Sequence, residues 1–165
     1  MVTVVLTGVD SALGRRVLGR LAADPEVDRV VELDLADGLD HPVAELKAAL
    51  EGADVLVHLG RTDGAELDGT GAGGVDVEGT RHLFDAAGAV GVDHVVVLSS
   101  ATVYGAWPNN PVPLTEEAPV RPTPGLAYAT HKAEVERLAR ELADAHPGVG
   151  VAVLRPTVAV AEERT

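Results

Sequence analysis

The chain has 165 residues, 13 of them basic and 26 acidic, and its formal net charge is −13. It contains no cysteine, which excludes disulfide scaffolds, thiolate metal sites and thiol nucleophiles. Because an acidic chain repels nucleic-acid phosphates and anionic lipids, and because no apolar run is long enough for a membrane span, we expect a cytoplasmic protein that binds neither nucleic acid nor membrane.

Short apolar runs alternate along the chain with segments of helical spacing. Each run is almost continuously apolar, which is typical of strands buried on both faces of a parallel sheet. This alternation predicts one α/β domain with a doubly wound parallel sheet covered by helices. The predicted elements are strand Val2–Leu6, helix Gly14–Ala23, strand Val27–Leu33, helix Val43–Leu50, strand Val55–Leu59, helix Val75–Ala89, strand Val95–Leu98, helix Tyr128–Ala145 and strand Val149–Leu154.

Two further features of the chain concern a loop and the histidines. Six of the ten prolines fall between Ala106 and Pro124, a density that predicts a long loop. This loop either walls a ligand site or is a plain surface loop. The 6 histidines lack metal-ligand spacing, so no metal site is expected. His58, inside an apolar strand, is expected to be a hydrogen-bonded core residue.

A glycine-bounded turn follows the first predicted strand and opens the first helix. Its sequence is Thr7-Gly8-Val9-Asp10-Ser11-Ala12-Leu13-Gly14. Glycine allows a tight turn, and the N–H groups at a helix N-terminus bind a pyrophosphate, although such a turn can also be purely structural. Asp34 ends the second apolar run, where a dinucleotide fold places the carboxylate that binds the adenosine ribose. Unless Asp34 is merely a solvated carboxylate, the sequence predicts NAD(H) rather than NADP(H).

A tyrosine and a lysine are four residues apart in the segment Tyr128-Ala129-Thr130-His131-Lys132. On a helix they share one face, and the ammonium favours the phenolate, which makes the tyrosine a usable acid or base. The chain has 2 tyrosines, and its two lysines are Lys47 and Lys132, so the pattern uses scarce residues. The alternative is an incidental pair on a surface helix.

The fourth predicted strand is followed by hydroxyl side chains. Ser99 and Ser100 directly follow the run Val95–Leu98. Ligands of open α/β sheets bind at the carboxyl ends of the strands, so a hydroxyl there can bond a substrate oxygen. By itself this signal is not specific, since serine is also a common cap of the turn or helix that follows a strand.

In this order the motifs resemble the extended short-chain dehydrogenase/reductase family, in particular its NAD-dependent epimerase/dehydratase group. The resemblance implies a Rossmann fold in which Tyr128 is the acid/base, Lys132 binds the nicotinamide ribose and lowers the tyrosine pKa, and Ser100 orients the substrate oxygen. It also implies an NAD-dependent enzyme, oxidoreductase, epimerase or dehydratase, acting on an alcohol or ketone centre of a sugar nucleotide or similar polar metabolite. The implied cofactor-binding residues are Gly8, Asp10, Ser11, Ala12, Leu13, Gly14, Asp34, Leu59, Gly60, Tyr128 and Lys132.

Two other functions remain open, a non-catalytic dinucleotide sensor and a simple ketone reductase of the same family. The resemblance further implies a homodimer that pairs the helices Val75–Ala89 and Tyr128–Ala145 across its interface.

The sequence departs from the family pattern in several places. Ser11 replaces the middle glycine of the turn, and Asp76 stands where the family has asparagine. The short interval between Asp34 and Asp54 predicts that the family's third strand is missing or vestigial. The chain stops at Thr165, before the family's C-terminal substrate domain. We therefore expect residues 1–165 to be a cofactor-binding domain, either a fragment of a longer chain or a reduced form completed by a partner.

Overall fold

Five parallel strands form one sheet in this computed structural model, which describes residues 1–33, 43–60 and 77–157. The strand order across the sheet is β2-β1-β3-β4-β5, and each neighbouring pair is parallel. The predicted α/β class with a parallel sheet is confirmed. The strands are β1 (Val2–Thr7), β2 (Val27–Leu33), β3 (Val55–His58), β4 (His94–Leu98) and β5 (Gly150–Leu154).

The helices lie where the apolar periodicity predicts them. Within the described residues, the observed ends differ from the predicted ends by at most two residues. Between β4 and the proline-rich loop the chain also forms a short 3₁₀ helix, Ala101–Tyr104, which the sequence did not predict. Residues 106–124 form neither helix nor strand, as predicted. The helices are α1 (Ala12–Leu21), α2 (Val43–Leu50), α3 (Val77–Val90) and α4 (Ala127–Ala145).

The main core lies between one face of the sheet and three helices. Helices α2, α3 and α4 pack side by side, and their apolar side chains meet those of the strands. Right-handed crossovers place α1 on the opposite face, because the chain steps from β1 to β2 in the opposite direction to its later steps. Fully buried members of this core include Val5, Leu50, Leu56, Leu83, Val95 and Val97.

One expectation about the strands was wrong. Strand β5 was predicted to be buried on both faces, but its residues alternate between partial burial and exposure, and Leu154 is 52% exposed. The reason is its position at the edge of the sheet, since β4 is its neighbour on one side and none of the described strands pairs with the other. The same expectation was wrong for β2 at the opposite edge, which has no buried residue.

The predicted loss of the third strand agrees with the described part of the interval between β2 and β3. Residues 43–54 contain α2 and no strand. Asp34 and Asp76 lie outside the described residues, as do the segments 34–42 and 61–76 that contain them and the segment 158–165.

The order of the strands creates a crevice for a ligand. The chain leaves β1 toward β2 on one side and later returns to build β3, β4 and β5 on the other. At such a switch point the loops that follow adjacent strands diverge, which leaves a crevice at the carboxyl ends of β1 and β3. The glycine turn follows β1, and Gly60 follows β3 two residues after its end.

Candidate active site

Three glycines make a close backbone approach at this crevice. Gly8 and Gly60 have φ values of 75° and 69°, in the left-handed region that favours glycine. A Cβ on Gly8 would overlap the carbonyl oxygen of Gly60, and a Cβ on Gly14 would overlap that of Gly8. The glycine pattern of the sequence is therefore required by the packing of the β1–α1 turn against the end of β3.

Ser11 does not intrude into the turn. It is the N-cap of α1, and its Oγ accepts a hydrogen bond from the Gly14 N–H (2.9 Å) and donates one to the Gly8 carbonyl (2.9 Å). This cap explains why α1 begins at Ala12, two residues before the predicted start. The departure from glycine is thus accommodated by a side chain that bonds within its own turn.

The turn has the features of an anion-binding site. Ala12 is exposed and Leu13 is half-buried, and in the described part of the chain neither backbone N–H donates to a protein acceptor. Both belong to the first turn of α1, where the helix dipole favours negative charge. The close glycine contacts and these free N–H groups fit the pyrophosphate of a dinucleotide.

Lys132 and Tyr128 share one face of α4, as their spacing predicted. Lys132 is 1% exposed, and its Nζ donates to the carbonyl oxygen of Leu98 at the end of β4 (3.0 Å). Nζ lies 5.7 Å from the centroid of the half-buried Tyr128 ring. A Cβ built on Gly60 would lie 3.4 Å from the same Nζ. Buried Lys132 therefore connects the tyrosine to the crevice, which an incidental surface pair would not do.

Ser100 lies two residues beyond the end of β4. Its Oγ accepts hydrogen bonds from the backbone N–H (3.2 Å) and the hydroxyl (2.9 Å) of Thr102, and it caps the 3₁₀ helix. The capping role that the sequence left open is therefore present. The role of Ser100 toward a substrate stays a prediction, although the contact of Lys132 with Leu98 brings the tyrosine–lysine pair to the same end of β4.

The remaining predicted cofactor residues lie either at the glycine turn or outside the described residues. Leu59 is buried beside the glycine turn, where its Cβ lies near Gly8. Asp10 is exposed, and its backbone carbonyl accepts a hydrogen bond from the guanidinium of Arg15. Asp34, on which the preference for NAD(H) depends, lies outside the described residues.

His58 is a buried core residue, as expected. Its Nδ1 lies 2.8 Å from Oγ1 of Thr7 and its Nε2 lies 3.1 Å from Oγ1 of Thr80, while its ring meets Phe84 edge-on. Burial, and secondarily the charge of Lys132, lower the pKa of His58 from 6.5 to about 3. The imidazole is therefore neutral at physiological pH.

A buried charged network beneath the site was not predicted from the sequence. Glu136 is 2% exposed and binds Arg155 through two hydrogen bonds, from Nε (2.9 Å) and from Nη2 (2.7 Å). Ser99 donates to the same carboxylate (2.5 Å). Arg155 also donates to the hydroxyl of Tyr104 (2.8 Å) and to the carbonyl of Glu116 (2.9 Å). One signal was available, since Glu136 continues the four-residue spacing of Tyr128 and Lys132 on the buried side of α4.

The proline-rich loop is held by side-chain hydrogen bonds to its own backbone and ends. The Trp107 indole donates to the Arg121 carbonyl (2.6 Å), and Asn110 donates to the Gly105 carbonyl (2.7 Å). Arg121 in turn donates to the side-chain oxygen of Asn110 (3.0 Å). Residues 114–116 of this loop line a cavity of about 690 Å³ together with Tyr104, Arg155 and the ends of β4 and β5. The loop therefore walls a cavity, and whether a substrate occupies that cavity stays a prediction.

A parallel sheet with a glycine turn at its switch point defines a Rossmann-type dinucleotide-binding domain. The family model described as the NAD dependent epimerase/dehydratase family matches residues 4–165. The chain belongs to this family. The predicted family and fold are thereby confirmed, as is NAD at the level of the family.

Known proteins resemble this chain over most of its length but extend well beyond it. The 3-diazoavenalumate denitrifying reductase of a Streptomyces species is 33% identical over 159 residues, which are 82% of this chain and 50% of the reductase. A short-chain dehydrogenase/reductase superfamily protein from Agrobacterium tumefaciens, solved with bound NAD, is 30% identical with a TM-score of 0.68 and covers 93% of this chain and 48% of its own.

A dehydratase provides a third comparison. A double mutant of the dTDP-glucose 4,6-dehydratase DesIV from Streptomyces venezuelae, also solved with NAD, is 25% identical with a TM-score of 0.73. The match covers 92% of this chain and 54% of the dehydratase. The chain spans about half the length of the curated relatives it matches.

Proposed function

We propose that this chain binds NAD(H) and forms the catalytic part of an epimerase or dehydratase that acts on an alcohol or ketone centre of a sugar nucleotide or similar polar metabolite. The observation that carries the proposal is the buried Lys132, which reaches from the Tyr128 ring to the end of β4 beside the glycine crevice. Solved relatives with bound NAD, one of them a dTDP-glucose dehydratase, support the choice of cofactor and substrate class.

The residues divide into a group that binds the cofactor and a group that handles a proton. The N–H groups of Ala12 and Leu13 would hold the pyrophosphate, and Gly8 and Gly14 let the backbone approach it. Lys132 would hold the nicotinamide ribose. When bound, the nicotinamide supplies a hydride acceptor and donor.

Tyr128 moves the proton in this proposal. Its phenolate oxygen accepts the proton of the substrate hydroxyl while the carbon beneath that hydroxyl loses a hydride, and it returns a proton when the carbonyl is reduced. The ammonium of Lys132 stabilises the phenolate. Ser100 donates a hydrogen bond to the substrate oxygen, since its Oγ is the acceptor in both bonds with Thr102 and its own O–H can still donate.

A Tyr128→Phe variant tests the proposal. We expect turnover of a nucleotide-sugar panel by the full protein to fall by about 10²-fold or more, since general acid–base catalysis contributes at least that much. NADH affinity, measured by calorimetry, should change little, because the phenol oxygen is not needed to hold the cofactor. Tyr104→Phe is the comparison variant, since it removes the only other tyrosine hydroxyl and leaves Tyr128 in place, so it should lose far less activity than Tyr128→Phe. Turnover retained in Tyr128→Phe refutes the proposal.

A net reductase is the second candidate, and the relative that is 33% identical favours it because that protein is itself a reductase. The same residues serve both reactions, since Tyr128 then donates its proton to the reduced carbonyl and no hydride returns. The two functions differ in stoichiometry. A reductase consumes one NADH for each product, whereas an epimerase or dehydratase leaves the total NADH unchanged.

A further inference from the structure

We propose that Arg155 is a positioning residue that neutralises the buried Glu136, so that the charge of Lys132 acts on Tyr128. The proposal rests on the proposed function, in which Tyr128 is the acid/base. It assigns a role to an ion pair that makes none of the proposed contacts with cofactor or substrate.

Helix α4 places a buried carboxylate, Glu136, one turn after Lys132. Tyr128, Lys132 and Glu136 are four residues apart and lie on one face of the helix. Lys132 and Glu136 are 1% and 2% exposed, so neither charge is screened by water. An uncompensated carboxylate one turn after the lysine would attract its ammonium and cancel the positive charge that Tyr128 needs.

Arg155 supplies the compensation from a different element. Its guanidinium forms two hydrogen bonds to the two carboxylate oxygens of Glu136, and Ser99 adds a third. The Lys132 ammonium instead donates to the neutral carbonyl of Leu98. The ion pair of Glu136 is therefore with Arg155, and Lys132 is held at the end of β4.

Arg155 is itself held in place. Its Nη1 donates to the hydroxyl of Tyr104 and to the backbone carbonyl of Glu116 in the proline-rich loop. The hydrogen bonds that Arg155 donates to Glu136 are the largest cause of a raised Arg155 pKa, so this side chain stays charged at any pH of interest. The guanidinium is fixed by three parts of the fold, α4, the 3₁₀ helix and the loop.

The titratable groups around Lys132 come from several elements. Strand β3 contributes His58, which is neutral, and α4 contributes Tyr128 and Glu136. The residue after β5 is Arg155, and the 3₁₀ helix contributes Tyr104. Within this cluster Arg155 therefore balances the charge of Glu136.

The direct test measures the ionisation of Tyr128 rather than turnover. The near-ultraviolet absorbance of tyrosinate is followed against pH in the chain without substrate, and the curve of Tyr128→Phe is subtracted, which isolates this residue because the chain has 2 tyrosines. The result does not depend on identifying a substrate. The test of Arg155 can therefore fail while Tyr128→Phe still abolishes turnover. It can also succeed while Tyr128→Phe retains turnover.

Arg155→Met should move the midpoint of this ionisation upward by about one pH unit, a tenfold change. The size follows from one uncompensated charge about 12 Å away, two turns along α4, at an effective dielectric constant of about 20. Arg155→Lys should restore most of the wild-type midpoint. The double variant Arg155→Met/Glu136→Gln, which removes both charges, should restore it fully.

Two results would overturn the proposal. One is a folded Arg155→Met variant with the wild-type midpoint. The other is a double variant whose midpoint is displaced as far as that of Arg155→Met. The effect would then come from loss of the structural contacts of Arg155 and not from its charge. If Arg155→Met does not fold, Glu136→Gln decides the question, since the uncompensated Arg155 should move the midpoint downward, and an unchanged midpoint refutes the role.

Discussion

His58 combines a buried position with a strongly perturbed pKa. The native value of about 3 lies below the 6.5 of an unfolded chain, so the unfolded state binds a proton that the native state excludes. The contribution of His58 to stability is fully present above pH 6.5 and is lost as the pH falls toward 3. Each pH unit within this window should remove up to about 1.4 kcal/mol from the free energy of unfolding.

The measurement is urea unfolding at several pH values between 7 and about 4 in the wild type and in His58→Gln. The glutamine variant lacks the titrating ring, so its free energy of unfolding should fall less steeply with decreasing pH. Carboxylates contribute equally to both curves and cancel in the comparison. Parallel curves would show that His58 does not cause the loss of stability at low pH.

At the residue scale the sequence predicts pairs that are close along the chain and misses those that are distant. Tyr128 and Lys132 could be predicted because helix geometry alone brings them together. Glu136 and Arg155 are 19 residues apart and meet because α4 packs against β5. Spacing carries no information on that contact, and only the acidic residue on a buried helix face indicates that a cation must come from elsewhere.

At the element scale the β1–α1 turn can be tested with two matched glycines. Gly8 and Gly91 both have a φ of 75°, but a Cβ on Gly91 has no atom within 4 Å whereas one on Gly8 overlaps the Gly60 carbonyl. Gly91→Ala should cost about 1 kcal/mol of stability for its backbone conformation alone. Gly8→Ala should cost at least about 1 kcal/mol more, because backbone must move to relieve the overlap.

Thermal or urea unfolding of the two variants gives the difference, and NADH titration gives its functional consequence. We expect Gly8→Ala to weaken NADH binding and Gly91→Ala to leave it unchanged. Equal losses of stability would mean that the turn tolerates a shift of the β3 end, contrary to the packing described.

Elements were predicted well where their own side chains determine them. The inner strands β1, β3 and β4 are mostly apolar runs that contain buried residues. Helix α1 begins earlier than predicted because Ser11 caps it, a signal present in the sequence but not used. The exposure of β5 could not be predicted, since its composition matches that of the inner strands. Its burial depends on which elements lie beside it, and this is a property of the sheet rather than of the segment.

At the scale of the whole molecule we predict a homodimer that pairs α3 and α4 with their copies. The face these helices present to solvent is charged, with Arg137 bound to Glu134 (2.6 Å) and to Glu141, and with Arg81 near Glu141 (4.0 Å). The hydrogen bond that Arg137 donates to Glu134 lowers the pKa of this carboxyl, and the charge of Arg137 lowers it further. A dimer built on this face should therefore depend on these ion pairs.

Sedimentation velocity of Arg137→Glu tests the prediction. The variant places a third acidic group between Glu134 and Glu141, so repulsion across the pair of helices should shift the protein toward monomer. Arg20→Glu on α1, a charge reversal away from this face, should sediment like the wild type. A wild-type protein that is monomeric at every concentration refutes the dimer itself.

The proline-rich loop contains an intrinsic fluorophore. Trp107 is the single tryptophan of the chain, and its indole is fixed to the Arg121 carbonyl with the Arg121 guanidinium 5.9 Å from the ring centroid. Its fluorescence therefore reports on one place only, the base of the loop that walls the cavity beside β5. Any ligand that rearranges this loop should change the emission, so binding could be followed without a label and before a substrate is known.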